Sequence, residues 1–180
     1  MNKNKQYRGI ISYLIAALFL LYEMAVQTSP SIMTQQLMSD LRIDAFSLGL
    51  ISTGYFISYS LMQIPVGLIL DRFSVRFSLF IATIICALGS ILFSYGNSAL
   101  TLTLSRLLMG FGSAFAFVSV LAIANQWFSG KVFALLVGLA QLLAAFGAWA
   151  GEYPLKSYII SHGNWRSSML QLGIIGLILG

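Results

Sequence analysis

Charged side chains are scarce in this sequence of 180 residues. Only 8% of its residues are charged and 58% are hydrophobic, whereas an ordinary soluble domain has about 25% charged residues. A soluble chain of this size would not have enough charge to cover its own surface. The composition therefore excludes an ordinary soluble domain and indicates that lipid is the solvent for most of the surface. Strands of a membrane β-barrel alternate polar and apolar residues, whereas residues 81–92 are apolar on every face, so we predict an all-α membrane protein that crosses the bilayer several times.

Residues that bind metals or carry out nucleophilic chemistry are also few. The sequence has one cysteine, Cys86, which excludes an internal disulfide, and one histidine, His162, which falls in a loop. It contains no cluster with metal-ligand spacing and no glycine-rich phosphate loop. The ten basic residues are scattered between apolar runs instead of forming a stripe, which argues against nucleic-acid binding. We therefore expect no cofactor, no metal site and no enzymatic activity.

Long apolar runs divide the chain into six predicted spans separated by short loops. A helix needs about 20 residues to cross a hydrocarbon core of about 30 Å. We predict an N-terminal tail over residues 1–8 and one helical bundle over residues 9–180, with spans at 9–32, 46–70, 78–96, 100–128, 132–151 and 165–180. The sixth run is shorter than a full span, so we expect the chain to end inside a truncated helix.

Basic residues in the loops predict the orientation of the spans. If the N-terminus is cytoplasmic, the inner segments contain Lys3, Lys5, Arg8, Arg72, Arg76 and Lys131, and the outer segments contain Arg42, Lys156 and Arg166. Positive charge is enriched on the cytoplasmic side of membrane proteins. Six basic residues against three therefore favour a cytoplasmic N-terminus.

Two ionisable side chains fall within spans, Glu23 in span 1 and Arg106 in span 4. A charge at the centre of a span costs about 2.5–3.5 kcal/mol even on the mildest scale, so each is a functional candidate. A rise of about 1.5 Å per residue puts Glu23 ~21 Å from the inner end of span 1 and Arg106 ~9 Å from the outer end of span 4. These depths are similar and allow a pair, formed directly or through water. The alternatives are a substrate or proton site and a structural ion pair.

Weaker polar side chains recur on one face of several spans. In span 2, Ser52, Tyr55 and Tyr59 follow one another at steps of three and four, whereas span 3 has no such stripe. We expect six polar residues to line an aqueous cavity between spans 1, 2, 4 and 5, with span 3 facing lipid. These residues are Glu23, Gln27, Tyr55, Tyr59, Arg106 and Gln141. The alternative is that the polar groups only hold helices together.

The segment between spans 2 and 3 reads Gly-Leu-Ile-Leu-Asp-Arg-Phe-Ser-Val-Arg-Phe at residues 67–77. It resembles the signature loop of the major facilitator superfamily, G-x3-D-[RK]-x-G-x-[RK]-[RK]. The residues that match at the right spacing are Gly67, Asp71, Arg72 and Arg76. A serine replaces the usual second glycine, and a phenylalanine replaces the last basic residue.

Two further matches follow in the order that the family has. Span 4 fits R-x-x-x-G-x-G-x-A with Arg106, Gly110, Gly112 and Ala114, and residues 163–166 read Gly-Asn-Trp-Arg before span 6. The chain therefore resembles the N-terminal six-helix half of a major facilitator superfamily transporter, which is built from two inverted three-helix repeats. The likeness extends to a bacterial branch of transporters for amino acids and other small nutrients, which implies the inner (plasma) membrane.

The resemblance also implies roles for the matching residues. In the family, the acid that matches Asp71 and its basic neighbours contact the C-terminal half and help to hold the outward-facing state, while the glycine that matches Gly67 permits close helix approach. The arginine that matches Arg106 is often tied to proton coupling or to anionic substrates. The implied function is alternating-access transport of a small polar solute, of the amino-acid, peptide or organic-anion class, facilitative or proton-coupled, with a missing C-terminal half as partner. The alternative is a non-transporting membrane scaffold or a truncated remnant.

Overall fold

The computed structural model describes residues 3–162 and 164–180; Gly163 and the side chains of residues 3–6 and His162 lie outside this description. The described residues contain no strand and confirm the predicted all-α membrane architecture. The elements are α1 (Lys3–Thr28), a 3-10 turn (Ser29–Met33), α2 (Thr34–Leu41), α3 (Ala45–Arg72), α4 (Val75–Ser94), α5 (Ala99–Trp127), α6 (Gly130–His162) and α7 (Trp165–Leu179).

Among the described residues, five stretches are long and apolar enough to cross a membrane, namely Tyr7–Leu41, Ala45–Arg72, Val75–Ser94, Ala99–Trp127 and Gly130–Ser161. The sixth apolar helix, α7, has 15 residues. Each predicted span overlaps one helix, but the helix ends differ. Helix α1 already begins at Lys3, where the sequence predicts a tail, and α6 continues to His162 instead of stopping at residue 151. Hydropathy marks only the apolar part of a helix, and the hydrogen-bonded backbone extends beyond it.

Helix α1 ends at Thr28 because a proline follows closely. Pro30 has no backbone N–H to donate to the carbonyl of Val26, four residues earlier, so the α-helical ladder stops there. The chain continues as the 3-10 turn and then as the short helix α2, neither of which the sequence analysis predicts. The break leaves carbonyl groups at the end of α1 that need other donors.

Helix α5 occupies the centre of the bundle. It packs against α1, α3 and α4, while α6 packs on α1 and α7 packs on α4. Most residues in the apolar windows of α1, α4 and α5 are buried within the bundle, whereas few of those in α3 and α6 are.

The expectation that span 3 faces lipid is wrong for one side of α4, which packs between α5 and α7. Only the other side, with Phe80, Ile81 and Leu88, is exposed. Small residues such as Ala82 and Gly89 let this helix pack closely, and the buried hydroxyls of Thr83 and Ser90 donate to carbonyls of their own helix. The absence of a polar stripe on α4 therefore does not mean that the whole helix faces lipid.

The Trp-Arg step before span 6 joins helix ends at the side of the bundle opposite the N-terminus. The indole Nε1 of Trp165 donates to Oδ2 of Asp40 on α2 over 2.8 Å. Arg166 donates from Nη1 to the carbonyls of Ser94 and Gly96 over 3.2 and 2.7 Å. This guanidinium thus caps the C-terminal end of α4, where backbone carbonyls lack helical donors.

Two glycines of the span 4 motif bring neighbouring helices close to α5. A Cβ atom at Gly110 would collide with the carbonyl oxygen of Tyr55 on α3. A Cβ atom at Gly112 would lie 2.5 Å from the carbonyl oxygen of Ala82 and 2.9 Å from the backbone nitrogen of Cys86, both on α4. These contacts are closer than a side chain allows, so the glycines set the distances of α3 and α4 from α5.

We expect Gly110→Ala to lower the free energy of unfolding by about 1–3 kcal/mol, because the added methyl group forces α3 away from α5. The measurement is the midpoint of denaturant-induced loss of helical circular dichroism in detergent. The matched control is Gly138→Ala on α6, where an added Cβ meets no atom within 4 Å and stability should be unchanged or slightly higher. Equal loss of stability in both variants would contradict the assigned role of Gly110.

Candidate functional site

Glu23 is fully buried within the bundle although it carries an ionisable group. The Tyr55 hydroxyl on α3 donates to its Oε2 atom over 2.8 Å. Its Oε1 atom has no hydrogen-bond partner, and no basic group of the described residues lies within 4.0 Å of the carboxyl oxygens. The carboxyl group is therefore surrounded by neutral groups and keeps one buried oxygen available.

Arg106 on α5 is equally buried, with 1% of its surface exposed, and it too contacts neutral groups. Its Nη1 donates to the carbonyl of Val26 over 3.1 Å, and its Nη2 donates to the carbonyl of Gln27 over 3.2 Å. The Val26 carbonyl lacks its helical donor because Pro30 has no N–H. The guanidinium thus binds the broken end of α1, while its Nε has no partner among the described residues.

Tyr55 joins the two ionisable residues. The Cζ atom of Arg106 lies 4.4 Å from the centroid of the Tyr55 ring, within cation–π distance. The hydroxyl of the same ring donates to Glu23. The direct Glu23–Arg106 pair that the depths allow is not formed between these described residues, since each contacts a different part of Tyr55. The bridging aromatic side chain replaces the ion pair.

The remaining predicted cavity residues differ in how close they come to this cluster. The Tyr59 ring stacks on Tyr55 with centroids 6.0 Å apart and planes 13° apart, and Tyr59 is half-buried. Gln27 contributes its backbone carbonyl to Arg106. Gln141, in contrast, is exposed on α6, and within the described part of the chain no hydrogen bond joins its side chain to the cluster. Tyr59 and Gln27 therefore extend the cluster toward the surface, and Gln141 does not.

Two residues outside the predicted cavity set, Ser113 and Cys86, also border the cluster. The Ser113 hydroxyl lies beside the Glu23 carboxyl group and 3.5 Å from the Cys86 thiol. Ser113 follows Arg106 by seven residues, which is two helical turns, so helical periodicity would have indicated it. Cys86 is on a different helix, α4, and no pattern in the sequence relates it to Glu23.

The four signature-loop residues lie at the end of the bundle that contains the N-terminus. Arg76 donates from Nη2 and Nε to the hydroxyl of Ser12 on α1, over 2.7 and 3.2 Å. Asp71 and Arg72 are exposed at the end of α3. A Cβ atom at Gly67 would meet nothing within 4 Å, so this glycine makes no close approach to another helix of the described structure.

Known proteins match this chain over most of its length. The family model described as Major Facilitator Superfamily matches residues 15–180. The chain belongs to the major facilitator superfamily. Together with its apolar helices, this membership makes it a multi-pass membrane protein of a transporter family.

Three relatives from this superfamily are bacterial. The chain is 30% identical over 148 residues to "Uncharacterized transporter YybO" of Bacillus subtilis strain 168, covering 82% of this chain and 34% of the relative. It is 27% identical over 150 residues to "Hexuronate transporter" of the same strain, covering 82% and 35%. It is 27% identical over 158 residues to "Probable galactarate/D-glucarate transporter GarP" of Escherichia coli K12, covering 83% and 35%. The chain thus spans about a third of the length of these curated relatives.

We expect Tyr55→Phe to lower the free energy of unfolding by about 1–3 kcal/mol, because the buried Glu23 carboxyl group loses the hydrogen bond that the Tyr55 hydroxyl donates. The ring that contacts Arg106 is kept, so only the hydroxyl is tested. In a double-mutant cycle with Glu23→Gln, measured by denaturant unfolding, we expect the two effects to be non-additive. Tyr95→Phe, at an exposed position, is the control. Additive effects would show that the hydroxyl does not act through Glu23.

Proposed function

We propose that this chain takes part in alternating-access transport of a small organic anion, with Arg106 as the residue that recognises the anion. The observation that supports the proposal best is the buried guanidinium at the centre of the bundle, which has no carboxylate of the described residues within salt-bridge distance. The motif resemblance implies a wider range of solutes, which includes amino acids and peptides. The charge of the site favours the organic anions within that range.

The argument from charge concerns Arg106 and its neighbours. Burying a cation is costly unless an anion or several hydrogen bonds compensate for lost hydration. Here two carbonyl oxygens and the Tyr55 ring supply partial compensation, and no carboxylate of the described residues lies within salt-bridge distance. A bound carboxylate would supply the missing charge, and the guanidinium fork suits a carboxylate geometrically. Two of the three relatives are named for hexuronate and for galactarate or D-glucarate, which agrees with this chemistry.

We assign proton coupling to Glu23 in the same proposal. Its carboxyl group is buried and contacts Tyr55 through one oxygen, and the other oxygen has no hydrogen-bond partner among the described residues. Gain or loss of a proton there changes the hydrogen bond to Tyr55, and Tyr55 in turn contacts Arg106. A proton on α1 and an anion on α5 would thus act on one shared side chain, which gives proton binding and substrate binding a physical connection.

The proposal also includes a partner and an orientation. Helix α3 exposes an apolar stripe with Ile57, Leu61, Ile64 and Leu68, and α6 exposes another with Leu135, Leu139, Leu142, Phe146 and Trp149. We propose that a second six-helix half packs against these helices, as the family resemblance implies. The N-terminus would be on the cytoplasmic side of a bacterial plasma membrane, in line with the loop charges.

The test of anion recognition compares the uptake of two solutes of similar size by cells that express the complete gene. We expect labelled glucuronate to accumulate and labelled glucose, its neutral counterpart, not to accumulate. Arg106→Gln should lower glucuronate uptake by about ten-fold or more, because it removes charge-assisted hydrogen bonds. Arg42→Gln, at an exposed position outside the cluster, should leave uptake unchanged. Unaltered uptake by Arg106→Gln at equal expression would overturn the site.

The test of proton coupling uses Glu23→Gln in the same cells. We expect wild-type glucuronate accumulation to fall several-fold when an uncoupler collapses the proton gradient. The variant should no longer accumulate solute against its gradient and should not respond to the uncoupler, yet it should still exchange internal for external glucuronate. A variant that keeps the wild-type response would remove Glu23 from the coupling step while leaving the anion site intact.

A further inference from the structure

A polar cleft of about 630 Å³ opens at the end of the bundle that contains the N-terminus. The N-terminal part of α1, the α3–α4 loop, the start of α4 and the end of α5 line it. Its polar side chains include Arg8, Ser12, Asp71, Arg76, Asn125 and Gln126. This volume lies within the range of about 300–1,000 Å³ that ligand pockets occupy.

The cleft is separate from the Arg106 cluster. Arg106 and Asn125 are both on α5 and are 19 residues apart, which corresponds to about 28 Å along the helix. A ligand in the cleft is therefore not the solute of the proposed transport site. The two sites are tested independently, and neither depends on the other for support.

Two arginine side chains supply hydrogen-bond donors and positive charge to the cleft. The guanidinium of Arg76 is held in place by its two hydrogen bonds to Ser12. Arg8 is exposed four residues before Ser12, one turn away on the same helix, and its side chain has no hydrogen-bond or ion-pair partner among the described residues. Two guanidiniums against the single carboxylate of Asp71 leave the cleft with a net charge of +1.

The start of α4 adds backbone donors to the same cleft. The cap residue Ser74 makes no side-chain hydrogen bond to the first turn, and that turn contains no acidic residue. Ser74, Val75 and Arg76 all line the cleft. Unsatisfied N–H groups at a helix N-terminus favour bound anions, and two nearby guanidiniums strengthen this preference.

We propose that this cleft binds a phosphate-bearing anion, with Arg8, Arg76 and the N-terminus of α4 as its donors. Arginine suits phosphate because its planar fork donates to two oxygens together. The phosphate has two possible sources, because the cleft lies at the end of the membrane spans: an anionic phospholipid headgroup or a free phosphate from solution. The shared chemistry is the phosphate group, and the experiment separates the sources.

The experiment uses the purified full chain in two arms. In the first arm, protein in phosphate-free maltoside detergent is dialysed against labelled inorganic phosphate. In the second arm, protein is placed in phosphatidylcholine nanodiscs with an increasing fraction of phosphatidylglycerol, and native mass spectrometry counts the retained phosphatidylglycerol. Saturable binding in the first arm identifies free phosphate, and selective retention in the second arm alone identifies a lipid headgroup.

The variants test the residues. Arg8→Gln and Arg76→Gln should each weaken binding by about ten-fold, because each removes a charge-assisted contact. Asp71→Asn should strengthen binding by about five-fold, because it removes a repelling charge near the anion. Arg72→Gln is the matched control, since Arg72 is exposed in the same segment but does not line the cleft.

The proposal is wrong if neither arm shows saturable binding, or if Arg72→Gln weakens binding as much as the cleft variants do. The latter result would indicate general attraction to positive charge. Arg76→Gln also loses the contact with Ser12 and could destabilise α4. Arg8→Gln, which breaks no contact between described side chains, therefore provides a variant whose folding is not at risk, and circular dichroism checks both variants.

Discussion

Burying charge in a medium without water is the constraint on which the centre of this bundle depends. Lipid offers no hydrogen bonds, so an ionisable group must find its partners within the protein. Tyr55 meets this need for two residues with one side chain: its hydroxyl binds the Glu23 carboxyl group and its ring face contacts the Arg106 guanidinium. Helices α1, α3 and α5 are thereby joined through a single aromatic ring.

This arrangement explains the spacing of Arg106 and Gly110 in the span 4 motif. Arg106 and Gly110 are one turn apart and lie on the same face of α5. The guanidinium contacts the ring of Tyr55, and the missing side chain of Gly110 leaves room for the carbonyl oxygen of that same residue. The glycine thus allows the approach of α3 that the arginine requires, so the four-residue spacing is a geometric condition for the cation–π contact.

The sequence predicted the parts of this structure that depend on local pattern. Apolar runs identified the six helices, and the cost of charge in a span identified Glu23 and Arg106. Relations between helices were harder to predict. The depths of Glu23 and Arg106 along their helices allowed a direct pair. They could not indicate that a third helix, α3, places Tyr55 between these two residues. Gln141 was predicted to line the cavity with the other polar residues, yet its side chain is exposed on α6. Periodicity within one helix does not determine the rotation of that helix against the others.

Pro30 connects the proposed anion site at Arg106 to the end of α1. Because Pro30 has no N–H, the Val26 carbonyl accepts instead from Arg106 and from the Ser29 hydroxyl, and the neighbouring Gln27 carbonyl also accepts from the same guanidinium. In the proposed function, a bound carboxylate and these two carbonyls would compete for the same donors. An anion that takes one of these hydrogen bonds would leave a carbonyl with one donor fewer at the break between α1 and the 3-10 turn. The conformation of this break and the occupancy of the proposed site would then be linked, which gives a bound anion a route to move the C-terminal end of α1.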